Sequence, residues 1–182
     1  MYTVAALIVA AAALLLYDQA KKAAPIVQPG ERVALFGDSL AQGLRPPLSA
    51  LASHSGVKFV ADVQQGTRLD QWVTRGPAMA QGSRYALISL GTNDAVGNEQ
   101  HRSKAAGYAK AISSSLRSKG VTPIWILPPP MRFPTEGIKE AIRSTGDATL
   151  ESADYPRYDG IHPTPDAFKQ WAADIWSEVG PR

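Results

Sequence analysis

Residues 33–40 read Val-Ala-Leu-Phe-Gly-Asp-Ser-Leu, and their order decides the fold. A short apolar run ends at Gly37, and an acid, a serine and a helix-like segment follow. An apolar run of this length predicts a strand covered on both faces, as in a parallel sheet between helices. Ser39 then falls at the strand's carboxyl end, where open α/β sheets carry their sites. The same rhythm repeats downstream. Strands are expected over 32–36, 57–60, 85–90 and 122–127, with a last short one over 149–152. Helices are expected over 40–53, interrupted at Pro46-Pro47, and over 69–79, 99–119, 135–144 and 165–178. Gly120 stops the long helix at its C′ place, while Thr164, Pro165 and Asp166 open the last one. Strands alternating with helices imply an α/β fold, a three-layer α/β/α sandwich with a central parallel sheet.

Two further stretches supply what a serine lacks. A serine hydroxyl is a weak nucleophile until a base stands beside it. Imidazole is the side chain best suited to take a proton near neutral pH. His162 offers one, in Asp159-Gly160-Ile161-His162. A tight loop brings Asp159 within reach of the ring, where a carboxylate fixes the tautomer and stabilises the imidazolium. An oxyanion needs preorganised donors. The Ser39 backbone N–H is one candidate, and the Asn93 amide, in Gly91-Thr92-Asn93-Asp94, is another. A third is the Gly66 N–H, in Val63-Gln64-Gln65-Gly66-Thr67, where glycine allows close backbone approach. Asp38 and Asp94 read as structural groups that bond nearby backbone.

These blocks together resemble the SGNH hydrolases, the GDSL esterase/lipase superfamily, whose name gives a Ser, a Gly, an Asn and a His. The matches are Ser39, Gly66, Asn93 and His162, in that order, spread over most of the chain after residue 30. The resemblance implies a flavodoxin-like strand order, 2-1-3-4-5. It implies a carboxylic ester hydrolase with Ser39 as nucleophile, His162 as base and Asp159 as its orienter. Ser39, Gly66 and Asn93 would line the oxyanion hole.

Composition agrees with a globular enzyme. The chain has 182 residues, 45% of them hydrophobic, and a net charge of +3. Its basic residues are scattered, so nucleic acid is not an expected partner. It has no cysteine and three histidines, with no cluster at metal spacing, so neither metal nor cofactor is expected. Trp72, Met131 and Phe133 are candidate substrate-binding residues, with Arg45, Arg68 and Arg132 as the alternative for an anionic substrate. Relatives by resemblance include carbohydrate O-acetyl esterases, lysophospholipases and thioesterases. Short loops and no long apolar lid favour small acyl groups, with O-acetylated cell-envelope carbohydrate as the first substrate class. Lysophospholipase or thioesterase action on longer chains is the alternative. Transfer to an acceptor other than water would use the same residues, and a catalytically inactive, membrane-tethered binding or assembly protein would share the fold.

The N-terminus reads separately. Met1–Tyr17 carries no charge, and Asp18, Lys21 and Lys22 end the run. A run of this length meets the lower limit for a membrane span. It lacks the basic start and clean cleavage site of a signal peptide. Residues 1–22 are therefore expected to be a membrane anchor or signal segment, with a core or interface helix as the third reading. Residues 23–31 read as a linker, rich in breakers, and 32–182 as the catalytic domain. Cell envelope or periplasm is the expected location, with orientation open.

Overall fold

The computed structural model describes residues 27–182. Five strands form one sheet: β1 (Arg32–Gly37), β2 (Lys58–Val63), β3 (Tyr85–Ser89), β4 (Thr122–Ile126) and β5 (Ala148–Leu150). Their order is β2-β1-β3-β4-β5, and every pairing is parallel. The main helices are α1 (Ser39–His54), α2 (Arg75–Met79), α3 (Thr92–Val96), α4 (Glu99–Ser118), α5 (Glu136–Arg143) and α6 (Pro165–Val179). This is the expected α/β/α architecture, with the strand order that the resemblance implied.

The pleat of β1 divides the interior into two cores. Val33 and Leu35 join one core with Leu44 and Leu48 of α1 and Trp171 and Ile175 of α6. Ala34 and Phe36 join the other with Ala109 and Ile112 of α4 and Ile142 of α5. Successive strand residues point to opposite faces, so one apolar run serves both cores. Each large side chain buried this way contributes about 1.5–3 kcal/mol.

Three local expectations change. The helix is not interrupted at Pro46-Pro47: α1 runs through both. The prolines lie on its outer side, while Leu40, Ala41, Leu44, Leu48 and Ala52 hold its inner face. Packing of that face outweighs the two lost N–H donors. The helix expected over 69–79 splits into a 3-10 turn, Leu69–Trp72, and α2. The break puts Pro77 in the first turn of α2, where its missing N–H costs nothing. Residues 27–31 are pinned to the domain and are not linker. The Val27 N–H donates to the Val179 carbonyl at 2.9 Å, and the Gly30 N–H to the Gly56 carbonyl at 2.8 Å.

The apolar run Met1–Tyr17, read as anchor or signal, lies outside the described residues. Among the described residues, no helix is long and apolar enough to cross a membrane.

The tightest point in the sheet is at the end of β1. A Cβ on Gly37 would stand 1.9 Å from the Ser89 carbonyl oxygen and 2.9 Å from the Ala41 Cβ. Neither neighbour can yield without moving the sheet or α1. Gly37→Ala is therefore expected to lower stability by about 3 kcal/mol or more, read as a fall in the urea unfolding midpoint.

Candidate active site

Three adjacent strands deliver three of the sequence blocks to one edge of the sheet. β1 ends at Gly37 and turns into α1, whose N-cap is Asp38 and whose first residue is Ser39. β2 leads to Gly66, and β3 leads through Gly91 into α3, which carries Asn93. Gly91 has φ 107°, a left-handed conformation that starts this short helix at the right angle. The fourth block comes from the loop before α6. An isolated antiparallel bridge, Arg157 to Pro163, closes that loop. Thr164 then caps α6, its hydroxyl accepting from the Ala167 N–H at 3.3 Å. The loop is thus held at both ends.

Within it, the Asp159 carboxylate accepts from the Ile161 and His162 backbone N–H groups at 2.9 and 2.7 Å. Its other oxygen lies 2.6 Å from His162 Nδ1. The opposite ring nitrogen, Nε2, lies 2.9 Å from Ser39 Oγ. The His162 ring bond, reinforced by the two backbone bonds, holds the Asp159 carboxyl well below the usual carboxylate range. An ionised Asp159 on Nδ1 requires a proton there, which leaves Nε2 unprotonated to accept from the serine hydroxyl.

Asn93 faces the same space. Its Nδ2 donates to the Thr67 carbonyl at 2.8 Å and approaches Asp38 Oδ2 at 3.4 Å. Both partners are acceptors, which fixes the amide with its nitrogen toward them. The first contact is a good hydrogen bond, and the second is longer than one. One N–H is firmly anchored, therefore, and the other is only weakly held by Asp38. Asp94 ties the same segments together, its carboxylate accepting from the Leu69 N–H at 3.2 Å.

Asp38 and Asp94 are both buried. Burial pushes Asp38 up to about 7, the Asp94 carboxylate adding to the rise and the Leu40 N–H bond opposing it. Burial likewise pushes Asp94 up to about 6. A partly protonated Asp38 lessens the negative charge beside the Asn93 amide.

Ser39, Gly66, Asn93 and His162 line one cavity of about 350 Å³, together with Gln65, Thr92, Val96 and Ile161. A larger groove of about 620 Å³ lies between α1 and α6, but it is apolar apart from Lys169 and holds neither Ser39 nor His162. The polar contacts among Ser39, His162 and Asp159 belong to the smaller cavity, not to the larger groove.

The three substrate-binding candidates are placed elsewhere. Trp72 is fully buried and stacks on Phe36 at 5.5 Å between ring centroids. Its Nε1 donates to Thr67 Oγ1 at 2.9 Å, and Thr67 Oγ1 donates to the Gln64 carbonyl at 2.7 Å. Trp72 therefore braces the Gly66 loop from behind and touches no substrate. Met131 packs on one core and Phe133 on the other, and neither lines the cavity. Arg45, Arg68 and Arg132 do not line it either. Gln65, Thr92 and Ile161 also line the cavity, each within a recognised block, and so does Val96, at the end of α3. Among the described residues no cluster of His, Cys, Asp or Glu could hold a metal ion.

No protein-family model and no curated protein matches this sequence. Solved structures do match. One is LAE5, an alpha/beta hydrolase enzyme from the metagenome of Lake Arreo, Spain, with TM-score 0.68 at 12% identity. The match covers 85% of this chain and 97% of that one. Another is Axe2, an acetylxylan esterase from Geobacillus stearothermophilus, with TM-score 0.67 at 14% identity over 86% of this chain and 97% of that one. Catalytic mutants of that esterase change a serine, an aspartate and a histidine, the last two three residues apart.

Asp38 and Asp94 titrate higher in the folded chain than the ordinary 3.8. Between pH 3.8 and about 7 the folded state therefore binds more protons than the unfolded one. Stability falls as pH rises through that window and then levels. Asp159 has the opposite sign, and its contribution is lost only as pH falls below the ordinary carboxylate value. The urea midpoint is expected to drop from pH 5 to pH 8, and Asp38→Asn, which keeps an oxygen for Leu40, to flatten the drop.

At such low identity the likeness shows architecture alone: this chain shares the three-layer α/β/α fold of these two hydrolases.

Proposed function

We propose that this chain is a serine esterase that removes small acyl groups, acetyl first, from O-acylated carbohydrate. The observation that carries the reading is the unbroken run Asp159–His162–Ser39, with contacts of 2.6 and 2.9 Å, opening onto a cavity that also holds Asn93 and Gly66. Nucleophile and base are within transfer distance, and the base is oriented by a third group.

The reaction takes two steps. Ser39 Oγ attacks the ester carbonyl as its proton passes to His162 Nε2. The oxyanion receives the Ser39 and Gly66 N–H groups and the second Asn93 N–H. Nε2 then gives its proton to the departing alcohol oxygen, leaving an acyl-serine. Water, deprotonated by Nε2, attacks the acyl carbon. The acid leaves and the proton returns to Ser39.

Two observations favour acetyl esters of sugars. The aliphatic lining of the cavity is limited to Val96 and Ile161, which suits a short acyl group better than a long chain. Axe2, which shares the fold, acts on acetylated xylan. Its mutated aspartate and histidine have the spacing of Asp159 and His162.

The test is hydrolysis of p-nitrophenyl acetate, butyrate and decanoate. Acetate is expected to be turned over fastest. Ser39→Ala and His162→Ala should each lower kcat by about 10⁴-fold or more, and Asn93→Ala by about 10²–10³. Rates that rise with chain length would move the substrate to lipids or thioesters. A folded chain inactive on all three would overturn the esterase.

We propose further that Met1–Tyr17 takes the domain to the cell envelope, as an anchor or as a signal segment. The mass of the chain recovered from membrane and envelope fractions tests this. Intact chain in the membrane fraction supports an anchor, chain shortened by about its first twenty-odd residues supports a signal, and intact chain in the cytosol overturns both.

A further inference from the structure

Among the described residues, the exposed large hydrophobic side chains are Val96, 59% exposed, and Tyr158, 68% exposed. Both border the site. Val96 lines the cavity. Tyr158 stacks on the His162 imidazole, with ring centroids 5.8 Å apart and planes 16° from parallel. Tyr158 belongs to neither core, so core packing does not account for it. Its backbone is nevertheless fixed. The Tyr158 N–H donates to the His162 carbonyl at 3.1 Å, next to the bridge that closes the loop. One face of a phenol ring is thus held against the imidazole on a braced loop, and the rest of the ring is open to solvent.

The chemistry says which part of a substrate such a ring would meet. His162 Nε2 must hand its proton to the departing alcohol, so the alcohol half of the ester lies on the imidazole side. The acyl half lies toward Gly66 and Asn93. Tyr158 lies on the face of the imidazole, to one side of the line from Nε2 to Ser39. A pyranose offers a flat, C–H-rich face that packs on an aromatic ring, and the tyrosine hydroxyl adds a polar contact at the edge.

We propose that Tyr158 is a carbohydrate platform: it holds the sugar unit next to the one that bears the acetyl group. The inference rests on the acetyl-ester reading above and extends it from an acyl group to an oligosaccharide.

The test is a calorimetric titration of the full chain carrying Ser39→Ala, so that the ester persists. The probes are acetylated xylotetraose and acetylated xylose. Adding Tyr158→Ala is expected to weaken tetraose binding about tenfold or more and xylose binding less than twofold. Tyr158→Trp, which keeps a ring in place, is expected to retain tetraose affinity. Equal tetraose affinity with and without the ring overturns the proposal, as does failure of the parent to bind tetraose. Equal losses on both probes would make Tyr158 a support for His162 and not a subsite. A change of molecular mass in light scattering on Tyr158→Ala would assign the ring to self-association instead. Binding is read without turnover. A failure of the esterase reading shows separately, as absent hydrolysis of p-nitrophenyl acetate by the unmutated chain.

Discussion

The Asp38 N–H donates to the Ser89 carbonyl at 3.1 Å, and a side chain on Gly37 would collide with that same oxygen. The end of β1 is therefore pressed directly onto the end of β3, with Gly37 and Ser89 in register. Ser39 lies two residues past one partner, and Gly91 two past the other. The two chains leave the sheet side by side and turn into α1 and α3, so a hydroxyl and a carboxamide come to share one cavity. In the order β2-β1-β3 this is the place where the sheet's winding reverses. Chain segments diverge there and leave a crevice.

The rest of the site is braced by a set of polar groups, most of them buried. Trp72, Thr67 and Gln64 form one chain of hydrogen bonds, and Asn93 and Asp94 tie α3 to the segment after Gly66. Two buried acids here are costly as anions, and burial raises both so that Asp38 is not fully charged at neutral pH. Asp159 is the counter-case. It is paired with His162 and held by two backbone donors, so it stays ionised. One acid is kept partly neutral beside Asn93 and another is kept charged beside His162. The same side-chain type serves opposite ends because solvation and partners differ.

The histidine loop is the one block that does not come from the sheet. It reaches Ser39 because α6 packs beside α1 in the same core. A Cβ on Gly43 of α1 would stand 2.1 Å from the Phe168 ring of α6, so the two helices approach closely there. Both helices start at the edge of the sheet that carries the site, so Ser39 and His162 meet near their first turns. The distance between Ser39 and His162 is thus set by packing one helix against another.

The sequence by itself determined the strands, their parallel arrangement and the four blocks. Apolar runs, breakers and caps are local signals, and Gly37, Thr164 and Pro165 announce the turns they make. It also determined that Ser39, Gly66, Asn93, Asp159 and His162 were the residues to follow, since each stands in a short block with its own turn chemistry. Tertiary structure alone decided the remainder. Trp72 looked like a groove residue because it follows Gly66, yet the face of the 3-10 turn that carries it is the covered one. Pro46-Pro47 looked like a break, yet a packed apolar face carried the helix through. Met131 and Phe133 looked like a lining pair, yet the chain bends at Arg132 and Phe133 and sends the two side chains to different cores. The neighbours of Ser39 come from strands tens of residues apart in sequence. Which side chains border a cavity depends on how those strands and helices pack, and no local pattern encodes that.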